Sequence, residues 1–219
     1  YMESEGYQLS EASRFSHSLD AFHYNYQNAG GNRDMIKIEL NYSLRAHIFE
    51  PVYRSILPET FDDRMKIRMV DPMEIFAAKG NALITRAAAR DLYDWCNMLS
   101  EGLFEEQSDL FRKCFLFYMT ISADTLNKSF DTSAIDTLDF NKIRRDLFPV
   151  FNKKDNFQLD ERKKIAKNYI SDLMVLTTKE KEYLDRFEEK KYMPELLFED
   201  VEIVERVKNH PMALWKCKE

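Results

Sequence analysis

Glycine and proline are scarce in this chain of 219 residues, at five and six. That leaves little room for long flexible linkers and argues against a disordered or low-complexity protein. No uninterrupted apolar run approaches the roughly 20 residues that a membrane-spanning helix needs. The opening Tyr1-Met2-Glu3-Ser4-Glu5 has no signal-peptide character, so neither membrane insertion nor export is expected. Cys96, Cys114 and Cys217 are odd in number and lack metal-ligand spacing, which reads as reduced thiols packed as small hydrophobes in a cytoplasmic protein. The histidines His17, His23, His47 and His210 are not paired at zinc-ligand spacing, and no Ser-His-Asp or Cys-His arrangement can be drawn.

What is present is a globular composition, 44% hydrophobic and 32% charged, in a chain long enough to bury a substantial core without disulfides. The formal net charge of -6 excludes a surface that attracts nucleic acid or anionic membrane all over, although a local basic patch could still bind phosphate. Tyr1 stands before Met2, which leads to the expectation that the natural chain extends upstream.

The chain changes character at Asp71. Before it, Phe22, Tyr24 and Tyr26 alternate with polar residues, Asn28-Ala29-Gly30-Gly31-Asn32 supplies a turn, and Ile36, Ile38, Leu40, Tyr42 and Leu44 alternate again. This pattern predicts an antiparallel hairpin, and it makes Gly30-Gly31 a turn rather than a phosphate loop. Met65, Ile67 and Met69 suggest a further short strand. After it, Asp71-Pro72-Met73-Glu74 is a helix start in which Asp caps, Pro takes the first helical position and Glu can reach back to the cap. That helix should run to about Arg86, and the next from Asp91 to Ser100 with Gly102 as terminator.

Further along, Leu110, Phe111, Cys114, Phe117, Tyr118 and Ile121 mark the core face of a longer helix. Ile165, Tyr169, Leu173 and Met174 form another apolar stripe, and Tyr183, Leu184 and Phe187 a third, preceded by a capping box of Thr177 and Glu180. Val201 to His210 reads as a last helix halted by Pro211, with Leu214 and Trp215 docking the terminus.

Three groups of residues carry possible chemistry. Glu39 sits mid-strand on the polar face of its alternation, and either binds a metal ion from a stiff mount or simply faces water. Lys79 lies four residues after Ile75 and four before Leu83, on the stripe that should be buried, and Arg86 follows at i+7. Two such cations either snorkel to the edge or point into a cleft, where they would hold a nucleoside triphosphate. Asp91 and Asp94, spaced i, i+3 after Arg90, either favour the dipole of the helix start or take part in catalysis.

The runs Asp34 to Arg45, Glu74 to Lys79 and Asn81 to Asp94 resemble the AbiEii/AbiGii nucleotidyltransferase toxins of the DNA polymerase β-like superfamily, and Val204 to Trp215 resembles the end of one branch. The resemblance implies an α+β fold, with a partial nucleotidyltransferase-type antiparallel or mixed sheet in residues 1–70. Residues 71–219 would be a helical bundle completing the active-site cleft. It further implies a cytoplasmic toxin of a toxin-antitoxin or phage-defence system that transfers a nucleotide from an NTP, with Mg²⁺, to an acceptor such as tRNA, and that has an antitoxin partner. Glu39 matches a metal-binding acid. Lys79, Arg86 and Arg90 would bind the nucleotide, and Lys79, Asp91 and Asp94 would serve catalysis.

One motif of that family is absent. No Gly-Ser dipeptide occurs, and the Asp200-Val201-Glu202 run lies far downstream without the turn that should precede a metal-binding acid pair. One acid cannot hold two ions against water, so this chain alone is expected to be inactive, and enzyme activity is expected only of a complete protein that carries the missing acids. The alternatives are a non-catalytic relative that binds nucleotide, RNA or a partner protein, and a helical interaction protein.

Overall fold

A computed structural model describes residues 1–42, 45–55, 65–122, 125–151 and 157–218. Contacts divide the chain into two compact units, Tyr1–Arg45 and Ala46–Glu219. Within the first, four strands make one antiparallel sheet: β1 (Gln8–Leu9), β2 (Arg14–Phe15), β3 (Leu19–Gln27) and β4 (Arg33–Asn41). β4 takes one edge of β3 along its whole length, and the two short strands share the other.

The hairpin is the one that the alternation implies, and the turn is built as its residues suggest. Asn28 Oδ1 accepts from the Gly30 and Asn32 amides at 3.0 and 3.1 Å, and Gly31 adopts a φ of 77°, a conformation that glycine enters at little cost. Register pairs Phe22 with Ile38 and Tyr24 with Ile36, so these share one face, while Ala21, His23, Lys37 and Glu39 share the other. Ser43 and Leu44 lie outside the described residues.

The second unit opens with a separate hairpin, β5 (Val52–Ser55) and β6 (Lys66–Met69). Strand then gives way to helix: α1 (Pro72–Thr85), α2 (Ala89–Ser100), α3 (Ser108–Ser122), α4 (Ser133–Asp136), α5 (Phe140–Asp146), α6 (Leu159–Leu173), α7 (Thr178–Glu188), α8 (Val201–Val207) and α9 (Pro211–Lys218). The protein is therefore α+β.

α3 is the axis of this unit. It is buried around most of its circumference, from Phe111 through Ile121 except Lys113, and packs on α1, α7 and α9. Sequence periodicity assigns it one apolar face; burial on nearly all sides leaves one stripe too few for its neighbours. Two further local expectations give way to packing. In α6 the core stripe is Ala166, Ile170 and Leu173, one position round from Ile165, which is 43% exposed. Pro211 opens α9 rather than ending the chain's last helix, consistent with the first-turn preference of proline, and Leu214 and Trp215 stay exposed while Ala213 is buried.

Gly80 brings α1 against its neighbours. A Cβ there would stand 2.3 Å from Cζ3 and 2.5 Å from Cη2 of Trp95 on α2, and 2.6 Å from Cε2 of Phe115 on α3. Both rings are fully buried and cannot swing aside. Alanine normally stabilises a helix interior by about 1 kcal/mol over glycine, but overpacking of this kind costs about 3 kcal/mol. Gly80→Ala is thus expected to lose about 2 kcal/mol net in urea unfolding; an unchanged or raised stability would show that the rings can yield.

Candidate functional site

The close approach at Gly80 sets the register of α1 and α2, which run antiparallel through a short connection. One residue away from the glycine contact on each helix, Lys79 Nζ donates to Asp94 Oδ2 at 2.5 Å. Both side chains are about one-third exposed, at 34% and 35%, so Lys79 neither snorkels fully to solvent nor lies sealed in the core. The remaining N–H groups of such an ammonium are available to an oxygen-rich ligand.

A second pair closes the same helical hairpin. Arg86, the residue just after α1, forks onto Asp91: Nε donates to Oδ2 at 3.0 Å and Nη2 to Oδ1 at 3.2 Å. The Arg86 side chain is 68% exposed, whereas that of Asp91 is 6% exposed. The hydrogen bond to Asp91 holds the guanidinium pKa above its ordinary value. Both oxygens of Asp91 are therefore engaged, as the planar fork of arginine favours.

The connection between the pairs is tight because Ala87 takes a φ of 47°, uncommon for a residue with a side chain, while remaining buried at 2% exposure. Its amide donates to the Ala82 carbonyl at 3.2 Å. α2 then starts at Ala89, two residues before the position suggested by Asp91, with no side-chain cap. Arg90 is exposed on the first turn, and its charge reaches Asp146 at the end of α5.

Glu39 belongs to the other compact unit. It lies opposite Ala21 on β4 and pairs with Lys37 at 2.7 Å, both side chains 46% exposed. Among the described residues, no three His, Cys, Asp or Glu side chains converge as a metal site would require. Two-ion transfer of a phosphoryl group needs several hard oxygen donors. Glu39 supplies one carboxylate already bonded to a lysine, so the described residues do not make a two-ion site. Asp200, in the downstream acidic run, is a helix cap that accepts from the Glu202 and Ile203 amides at 2.8 and 3.2 Å.

The geometry thus joins Lys79 to Asp94 and Arg86 to Asp91 across one pair of helices. The family model for the nucleotidyl transferase AbiEii toxin of type IV toxin-antitoxin systems matches residues 5–189. The chain belongs to the AbiEii toxin family. The matched span holds Glu39, Lys79, Arg86, Arg90, Asp91 and Asp94 together. Comparison with curated proteins and with solved structures gives no match. No helix among the described residues of this AbiEii family member is long and apolar enough to cross a membrane.

Two features near the site escape the sequence. Glu74, one turn before Lys79 and read there as a capping residue, is 1% exposed and turns inward to accept from the Ile48 and Phe49 amides and the Tyr118 hydroxyl. Tyr93, inside the Arg90 to Asp94 run, packs on Phe151 and Phe157 with ring centroids 5.4 and 6.3 Å away. Only the recurrence of phenylalanine at Phe140, Phe148, Phe151 and Phe157 hints at the second in the sequence.

Proposed function

We propose that the protein acts in nucleotidyl transfer from an NTP to an acceptor such as tRNA, and that this chain supplies the phosphate-binding and acceptor-facing part of the site. The observation that carries the reading is the one-third-exposed Lys79–Asp94 pair beside the Arg86–Asp91 fork. In this reading Lys79 exchanges part of its bond to Asp94 for a phosphate oxygen, and the exposed Arg86 and Arg90 neutralise charge on the remaining phosphates. Asp91, buried and held at both oxygens, is a positioning residue for Arg86. Asp94, open to solvent at one side, is the carboxylate able to meet an acceptor hydroxyl. Glu39 is one of the acids that would hold Mg²⁺, and further acids must join it for transfer. An antitoxin completes the system as the protein partner of the toxin's activity.

The test is nucleotide binding by the 219-residue chain. Lys79→Ala is expected to weaken NTP binding by about 10-fold to 100-fold, the value of a charge-assisted hydrogen bond. Asp94→Asn, which releases Lys79 from its resting partner, is expected to tighten it a few-fold. A purely structural pair would give no change in either variant, and that outcome would remove the assignment. With Mg²⁺ and labelled NTPs this chain is expected to label no tRNA, because a single acid cannot hold two ions. NTP binding without transfer also fits the second reading, a non-catalytic relative; transfer that Lys79→Ala abolishes would instead show that the acid set is complete.

A further inference from the structure

The acidic protein has a long stretch of opposite sign after Phe140. Between Phe140 and Asn168 the sequence holds nine Lys or Arg against four Asp or Glu, in a chain of net charge -6. In the structure that region carries a continuous row of aromatic rings. Phe140 meets Phe148 at 5.7 Å, Phe148 meets Phe151 at 5.9 Å, and Phe151 meets Phe157 at 5.8 Å between centroids. The Arg162 guanidinium lies over Phe157 at 5.4 Å. Rings usually end such a row by entering a core. Here the outer two do not: Phe140 is 60% exposed and Phe148 38%.

Cations stand beside the exposed rings. Phe140 and Arg144 are spaced i, i+4 on α5 and therefore share a face. Both Arg144 and Arg145 are exposed, and the Asp146 carboxyl is held below its usual range first by the Arg145 fork and then by the charges of Arg145, Arg90 and Lys142. The two carboxylates at the ends of α5 are already engaged. Asp139 caps α5 by accepting from the Lys142 amide at 2.8 Å, and Asp146 accepts from Arg145 at 2.6 and 2.8 Å. The row also joins the candidate site, because Tyr93 lies between Asp91 and Asp94 on α2 and packs on Phe151.

Exposed rings in a field of arginines match a ligand that has both flat faces and a negatively charged backbone. A polyanion without bases would not need the rings, and an apolar peptide would not need the cations. We propose that the surface formed by Arg90, Phe140, Arg144, Arg145, Phe148 and Phe151 binds a single-stranded stretch of RNA, with bases stacked on the rings and phosphates on the guanidinium groups. The inference rests on the preceding reading for the choice of RNA, whose acceptor end this surface would lead toward Asp94.

Fluorescence anisotropy of the 219-residue chain with a labelled RNA of about 12 nucleotides, within the usual span of single-strand sites, tests it. Wild-type protein is expected to bind, and Phe140→Ala and Phe148→Ala to weaken binding about tenfold each, the loss typical of one stacked base. Phe148→Trp should retain binding, which separates stacking from folding. Arg144→Ala with Arg145→Ala should lower the slope of log affinity against log salt by about 1.4, at roughly 0.7 per phosphate contact in single strands. Phe140→Ala and Phe148→Ala should bind NTP as the wild type does. The two readouts separate the proposals, since unchanged NTP binding by Lys79→Ala alongside weakened RNA binding by the phenylalanine variants would remove only the first. Undiminished binding by both phenylalanine variants, equal affinity for inorganic polyphosphate, or tighter binding of DNA of the same sequence would each overturn the assignment.

Discussion

Glu74→Ala is expected to lower the stability of the protein by about 4 kcal/mol, within the range found when one member of a buried polar cluster is removed. The carboxylate accepts from the Ile48 amide at 2.9 Å, the Phe49 amide at 3.0 Å and the Tyr118 hydroxyl at 2.5 Å. Alanine would leave three donors in a dry environment, each costing about 1–3 kcal/mol when unmade. Burial, followed by the charge of and hydrogen bond to Glu74, keeps the Tyr118 hydroxyl well above its ordinary pKa, so it remains a donor. Glu74→Gln keeps the shape but turns a donor toward one of the amides, and should lose about half as much. Urea unfolding of both variants, followed by circular dichroism, measures this. A loss below about 1 kcal/mol for alanine would mean that water replaces the carboxylate.

Acid should destabilise the protein through His210. The residue is fully buried against Phe117, with ring centroids 5.2 Å apart at 84°, and its Nδ1 and Nε2 have no hydrogen-bond partner in good geometry. Burial lowers its pKa to about 4; the Ala46 backbone opposes this and the charge of nearby His47 adds to it. An unfolded histidine takes its proton near pH 6.5. The unfolded chain therefore binds the proton first, so the contribution is fully present above pH 6.5 and is lost as the pH falls toward 4.

Between pH 7 and pH 4.5 the loss from this one group is about 2.5 kcal/mol. His210→Phe keeps a ring beside Phe117 and removes the titration. The difference between wild-type and variant unfolding free energies should therefore change by that amount over the same interval. A constant difference would show that His210 is protonated within the folded protein.

The features legible in the sequence are those whose physics is local. A two-residue period and an Asn-Gly-rich turn suffice for the β3–β4 hairpin, and Thr177 with Glu180 does form the reciprocal capping box, with bonds of 3.3 and 2.7 Å. Lys79 stands out because a cation on an apolar stripe needs a partner, and Asp94 is that partner. Glu74 was not legible as a clamp because two of its donors lie 25 and 26 residues away, and Tyr118 lies 44 away. Helical spacing alone cannot tell a reach back to the cap from a turn inward. Nor could it show that Asp91 is sealed under Arg86 while Asp94 stays open, since both residues satisfy the same i, i+3 rule. The row of rings begins on α5 at Phe140 and continues past the end of that helix to Phe148, Phe151 and Phe157, so no single periodicity records it.

Ala87 has a consequence for how the two ion pairs work. Its backbone stands in a region that disfavours any side chain by about 1–2 kcal/mol, yet its methyl is packed in the core. Relaxing the backbone would uncover the methyl, and glycine, which tolerates the angle, would leave the packing unfilled. The bend is thus locked from both sides. The spacing between Lys79 and Asp94 is then a property of the backbone, settled during folding, and in the proposed nucleotidyl-transfer reading a triphosphate would meet charges whose positions were preorganised before it arrived.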